Sequence, residues 1–141
     1  MLEALRLSLN ATAVYGFILY MAVAAVLFVL FQFIYTRLTP HKEFALIREG
    51  NTAAAIALGG SMVGFALPAS NIIANSISVV DVVVWVLIAA VVQLLAFAVT
   101  SLVLKGLSAR IVRGELAAAI YSASVAISVG LLNSACMTPS T

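Results

Sequence analysis

Four runs of roughly twenty or more mostly apolar residues, broken only by short polar links, leave this chain very few folds. The runs lie at about 12–35, 52–73, 79–104 and 116–135. About 20 residues of α-helix cross a hydrocarbon core about 30 Å thick, and each run meets that length. The fourth is the least hydrophobic, because Ser122, Ser124, Ser128 and Asn133 interrupt it. Of the 141 residues, 65% are hydrophobic and 9% charged, against about 25% charged in a soluble domain. Too few polar side chains remain to solvate an outer surface, so the expected surroundings are a lipid bilayer. The expected fold is an all-α membrane protein, one four-helix transmembrane domain over residues 1–141. The N-terminal apolar run exceeds the ~7–15 residues of a signal-peptide core, so it reads as the first span.

The three links differ in charge. The first holds Arg37, His41, Lys42 and Arg48, the third holds Lys105, Arg110 and Arg113, and the second has no basic residue. Basic residues accumulate in cytoplasmic links, which puts the first and third inside and both termini on the outer face. The net charge of +2 thus reflects topology, and no nucleic-acid partner is expected. In the first link, Thr39 fits a helix N-cap, Pro40 the first helical position, Glu43 the positive end and Gly50 the stop. A short interfacial helix is expected there. Phe44 and Ile47 would dip into the interface, and Lys42, Arg48, Arg110 and Arg113 would meet lipid headgroups or a soluble partner.

The two halves of the chain resemble each other. "IREGNTAAAIA" from Ile47 matches "IVRGELAAAIY" from Ile111, with Gly50 on Gly114 and Ile56 on Ile120. The expected units are about 12–74 and about 77–136. Each has two spans, so both copies keep one orientation and form parallel repeats. Glu115 stands where the first unit has Asn51.

Close helix packing in lipid uses small residues. Gly60 and Gly64 lie one turn apart on the second span, and Ser124 and Ser128 take the matching places on the fourth. Ala118, Ser122, Ala126 and Gly130 form a further small stripe there. Pro68 removes a backbone hydrogen bond from the second span and is expected to bend or end it.

Few residues suit chemistry. Asp81, Glu115 and Asn51 start spans, where capping is the plain reading. Gln93 sits near the middle of the third span and needs a partner, either a structural hydrogen bond or a water-lined path. Asn71, Asn75, Ser76, Ser78 and Asn133 make the outer end polar without charge. Trp85 fits an aromatic belt. Cys136 ends the last span, and the lone His41 lies at the other side. No Ser-His-Asp, Cys-His, zinc or acid–base pattern is apparent, so no enzyme activity, cofactor or metal is expected.

The run from "TPHKEFALIREGNTAAAIALGG" through "NSISVVDVVVW" to "VVQLLAFAV", with the ending "LLNSACMT", resembles the YjfL-like family of bacterial inner-membrane proteins, the domain of unknown function 350. The resemblance covers nearly the whole chain, to Thr138. It implies four spans, a duplicated two-helix unit and a bacterial inner membrane, with no established activity. It marks Asn51, Asn75, Asp81, Trp85, Gln93 and Glu115 as positions matching the family pattern. Family members are often encoded near phage-shock-A-like membrane-remodelling proteins, which implies a role in membrane stress or envelope maintenance. Two functions follow as expectations: a non-enzymatic scaffold or anchor whose basic links recruit a soluble cytoplasmic partner, or a channel or small-solute transporter. A homo-oligomer is expected in either case.

Overall fold

The structure, a computed structural model, describes residues 1–137. Thr138 lies outside them. Among the described residues seven helices follow in chain order: α1 (Leu2–Ser8), α2 (Ala11–Leu38), α3 (Glu43–Arg48), α4 (Thr52–Asn75), α5 (Val79–Val103), α6 (Leu107–Val112) and α7 (Leu116–Cys136). The helices α2, α4, α5 and α7 are each long and apolar enough to cross a membrane. They coincide with the four apolar runs to within about three residues, because the polar links set their ends.

Helix α4 is the centre of the bundle. Half of its spanning window is buried, against 11% for α2. Helices α4 and α7 run side by side in the same direction. Asn51 at the start of α4 reaches Ile111 and Val112 just before α7, and Asn71 near its end reaches Ser134 near the end of α7. Small residues permit that approach. Gly60 abuts the backbone of Ala123, and Gly64 abuts Ala126 and Gly130. A Cβ added at Gly130 would lie 2.7 Å from the Gly64 Cα, a separation that real side chains do not reach. Helix α5 covers this pair, and α2 leans on α4 and α5 through Leu27, Phe31 and Tyr35. The Phe31 and Phe65 rings stack with centroids 4.2 Å apart.

The matching serines of the fourth span do not join this contact. Ser124 and Ser128 are exposed, whereas Ser122, Ala123 and Gly130 are buried. Two residues along a helix turn the side chain by about 200°, so the stripe through Ser122, Ala126 and Gly130 points Ser124 away. Its hydroxyl donates to the Ile120 carbonyl at 2.7 Å and needs no partner helix.

Two further expectations change. Thr39 ends α2 instead of starting α3. Its N–H donates to the Tyr35 carbonyl at 3.1 Å and its hydroxyl to the Thr36 carbonyl at 3.2 Å. The apolar run carries α2 on to Leu38, and α3 starts only at Glu43, with Lys42 in the cap position. Ile47 packs inward on the core and Phe44 stays exposed, so Phe44 alone of that pair faces the surroundings. Helix α1, which the apolar runs did not announce, buries nothing; Asn10 separates it from α2, accepting from Ala13 N–H at 2.7 Å.

The stops of α3 and α6 share one geometry. Gly50 and Gly114 have φ of 87° and 81°, a left-handed conformation that glycine adopts without a Cβ clash. Gly50 N–H bonds the Ile47 carbonyl and Asn51 N–H the Leu46 carbonyl; Gly114 and Glu115 repeat this with Ile111 and Arg110. Leu107 and Ile111 of α6 are fully buried among Ala53, Ala54, Ala57, Ala118 and Ala119. That seat clamps α6 onto the starts of α4 and α7.

Candidate functional site

Three polar groupings stand out along the bundle: one at the end carrying α3 and α6, one midway, and one at the opposite end.

At the first end, His41 and Glu43 flank Lys42 before and at the start of α3. Their side chains are only 2% and 1% exposed, with Nε2 of His41 3.3 Å from Oε1 of Glu43. His41 Nδ1 contacts Ser108 Oγ of α6. Among the described residues His41 Nε2 and Glu43 Oε2 have no hydrogen-bond partner. Ser108, His41 and Glu43 thus stand in the order nucleophile, base and carboxylate, which the sequence did not reveal because Ser108 is 67 residues from His41. The ring nitrogens are reversed relative to serine hydrolases, where Nε2 faces the serine. His41 is buried and Ser108 half-buried, and their contact joins the two links.

Asn51 joins them a second time. Its Oδ1 caps α4 by accepting from Ala54 N–H at 3.0 Å, and its Nδ2 donates to the Ile111 and Val112 carbonyls at 3.1 and 3.2 Å. Those carbonyls close α6, where a helix leaves its acceptors unmatched. Glu115 behaves differently from its counterpart. It makes no side-chain cap; its Oε2 takes Arg110 Nε at 2.5 Å, and its Oε1 lies 3.6 Å from Arg113. The hydrogen bond from Arg110 holds the Glu115 carboxyl below its ordinary value, with Arg113 acting the same way. Arg110 and Arg113 are therefore engaged, while Lys42 and Arg48 stand exposed and unpaired among the described residues.

Midway, Gln93 is 2% exposed and donates through Nε2 to the Ala126 carbonyl at 3.0 Å. This bond ties α5 to α7 beside Gly64 of α4. Tyr35, Ser61, Thr100 and Ser122 surround a void of about 10 Å³ next to Gln93, at the lower limit for a single water.

At the opposite end, Asn71, Asn75, Ser76, Asp81 and Trp85 line a cleft of about 320 Å³ together with Cys136 and Met137. Asn75 Nδ2 donates to Asn71, Asn71 Nδ2 to the Ser134 carbonyl at 2.7 Å, and Ser76 to the Ile72 carbonyl at 2.5 Å. Ser78 caps α5 by accepting from Asp81 N–H at 3.1 Å, so the capping role expected of Asp81 falls to Ser78.

The family model "Domain of Unknown Function (DUF350)" matches residues 8–137. The chain belongs to this family. It is 37% identical over 123 residues to the UPF0719 inner membrane protein YjfL of Escherichia coli (strain K12), covering 87% of this chain and 93% of that protein. The same figures hold for YjfL of Escherichia coli O157:H7. No solved structure matches. Four membrane-length helices and these relatives make it a multi-pass inner-membrane protein.

The DUF350 bundle gathers the sequence-marked residues into separate places. Asn75, Asp81 and Trp85 share the outlying cleft, Gln93 stands alone midway, and Asn51 and Glu115 lie at the α3–α6 end. Asp81 and Gln93 are twelve residues apart on one helix, about 18 Å along its axis, so they do not form one site. The sequence reading placed Glu43 only at the start of a short helix and passed over Ser108, which lies 67 residues from His41.

Proposed function

We propose that this protein is a non-enzymatic membrane scaffold or anchor, acting in envelope maintenance through the face made by α3 and α6. One observation carries the reading: two short helices from distant parts of the chain are locked together by Asn51, His41 and Ser108, and Lys42 and Arg48 project free from that platform. A rigid surface bearing unpaired cations suits an acidic soluble partner or anionic lipid. Its shared glycine stops support descent from a duplicated two-helix unit. On the positive-inside argument this face is cytoplasmic, and both ends of the chain are on the outer side.

The reversed ring nitrogens and the burial of His41 favour a structural latch over hydrolysis. The packed contact of Gly60, Gly64 and Gly130 supports a closed interior. The test is recruitment. The chain in nanodiscs of neutral lipid should retain a soluble cytoplasmic protein that is lost in a Lys42→Gln/Arg48→Gln variant of unchanged topology. Retention by that variant would sink the reading.

A second reading, an oligomeric channel or small-solute transporter, is favoured by the buried hydroxyls of Ser61, Thr100 and Ser122 facing Gln93. Homo-oligomers would be needed, because the void there holds one water at most. Liposomes tight to a broad solute panel would remove it.

A further inference from the structure

The cleft between the end of α4 and the start of α5 has an unusual balance of polar groups. Its amides and hydroxyl already direct their donors at the protein: Asn75 at Asn71, Asn71 at Ser134, and Ser76 at Ile72. What these groups still offer the cleft is chiefly oxygen lone pairs. Asp81 adds a carboxylate. Among the described residues that carboxylate forms no ion pair and accepts no hydrogen bond, since Ser78 has taken the capping contact. No basic side chain lines the cleft. One turn along α5 from Asp81, the half-exposed ring of Trp85 closes a wall, and indole is the aromatic face that cations favour most.

An anion would meet the Asp81 carboxylate with no basic side chain in the lining to offset it. A neutral apolar ligand would leave the carboxylate buried without a partner, at a cost. A cation with N–H groups suits the carboxylate, the oxygens and the ring together: its charge faces Asp81, its protons meet Asn75 and Ser76 oxygens, and its carbon part lies on the Trp85 ring. The volume of about 320 Å³ is within the range of small-molecule sites, about 300–1,000 Å³. We infer that this cleft binds a small primary-ammonium ion, with Asp81 as counter-ion and Trp85 as the stacking wall. Trp85 and Asp81 then have roles beyond an interfacial belt and a helix start.

The chain has a single tryptophan, so Trp85 fluorescence reports on this cleft alone. The full chain in nanodiscs of neutral lipid is titrated with ethylammonium chloride, and sodium chloride serves as the ionic-strength control. The expected result is a saturable change in Trp85 emission with ethylammonium and none with sodium. Asp81→Asn, which keeps the side-chain shape, should weaken binding about tenfold, as expected for loss of a hydrogen bond to a charged group. Its unchanged elution and emission maximum would show that it folds. Tetramethylammonium, which lacks N–H donors, should bind more weakly than ethylammonium. A linear response to ethylammonium, equal binding by Asp81→Asn, or equal binding of tetramethylammonium would each overturn the assignment.

Discussion

Gly130 of α7 packs directly against the carbonyl of Gly64 in α4. That carbonyl is the one Pro68 leaves without a helical donor, because proline four residues on has no N–H. The freed acceptor thus faces a helix with no side chain at the point of approach, and a Cα–H is the nearest group it can meet. The interface is set by two glycines and a proline acting together, not by the small size of one residue.

Filling that contact should therefore be costly. Gly130→Ala or Gly64→Ala pushes a methyl into backbone, and overpacking of this kind typically costs about 1–3 kcal/mol. Gly59→Ala, whose added Cβ meets nothing within 4 Å, is the matched control and should be neutral or slightly stabilising. Thermal unfolding midpoints in a single detergent would separate the three variants.

Gln93→Leu removes the α5–α7 bond while filling similar space. The Ala126 carbonyl keeps its place in the α7 ladder, so the loss should be about 0.6 kcal/mol, the average for polar contacts between helices in membranes. Gln93→Ala adds a cavity and should cost clearly more. Similar losses for both would show that the hydrogen bond outweighs packing here.

Asn51→Ala should destabilise the chain by about 1–2 kcal/mol through loss of the α4 cap, and should also free α6, whose last carbonyls lose their donor. Asn51→Ser restores the cap and not the link. Hydrogen exchange in α6 should therefore stay fast in the serine variant while α4 recovers.

Glu115 gives a pH dependence with a definite sign. Its carboxyl is held below the ordinary value of 4.5, first by the Arg110 hydrogen bond. A depressed folded value means that the pairing contributes fully above about pH 4.5 and is lost as pH falls through the lower folded value. The stability difference between wild type and Glu115→Gln should be constant near neutrality and shrink below that point. A difference that grows on acidification would reverse the assignment.

Ser108 should resist serine-directed fluorophosphonate labelling, since its neighbour His41 is enclosed and turns Nδ1 rather than Nε2 to the hydroxyl. Ser108→Ala should instead loosen α3 from α6, seen as faster exchange at both. Rapid labelling of Ser108 that stops on His41→Gln substitution would make this end a catalytic centre.

The residue order by itself determined the four spans, the stop at Gly50, and the bilayer surroundings. Each of these is local: run length, turn chemistry and the scarcity of charge fix them without any distant contact. The polar end made by the close of α4 and the start of α5 was also legible, because Asn71, Asn75, Ser76 and Asp81 fall within about ten positions. Only the tertiary structure decided which face of each helix meets another. Two sets of small residues stood out on the fourth span, Ser124 with Ser128 and the stripe through Ser122, Ala126 and Gly130, and packing brought Ala126 and Gly130, with Ala123, against the glycines of α4. Where most side chains are apolar on every side, periodicity carries no inward direction. In the same way, Ser108 met His41, and Asp81 was released from capping by Ser78, through packing that no spacing along the chain encodes.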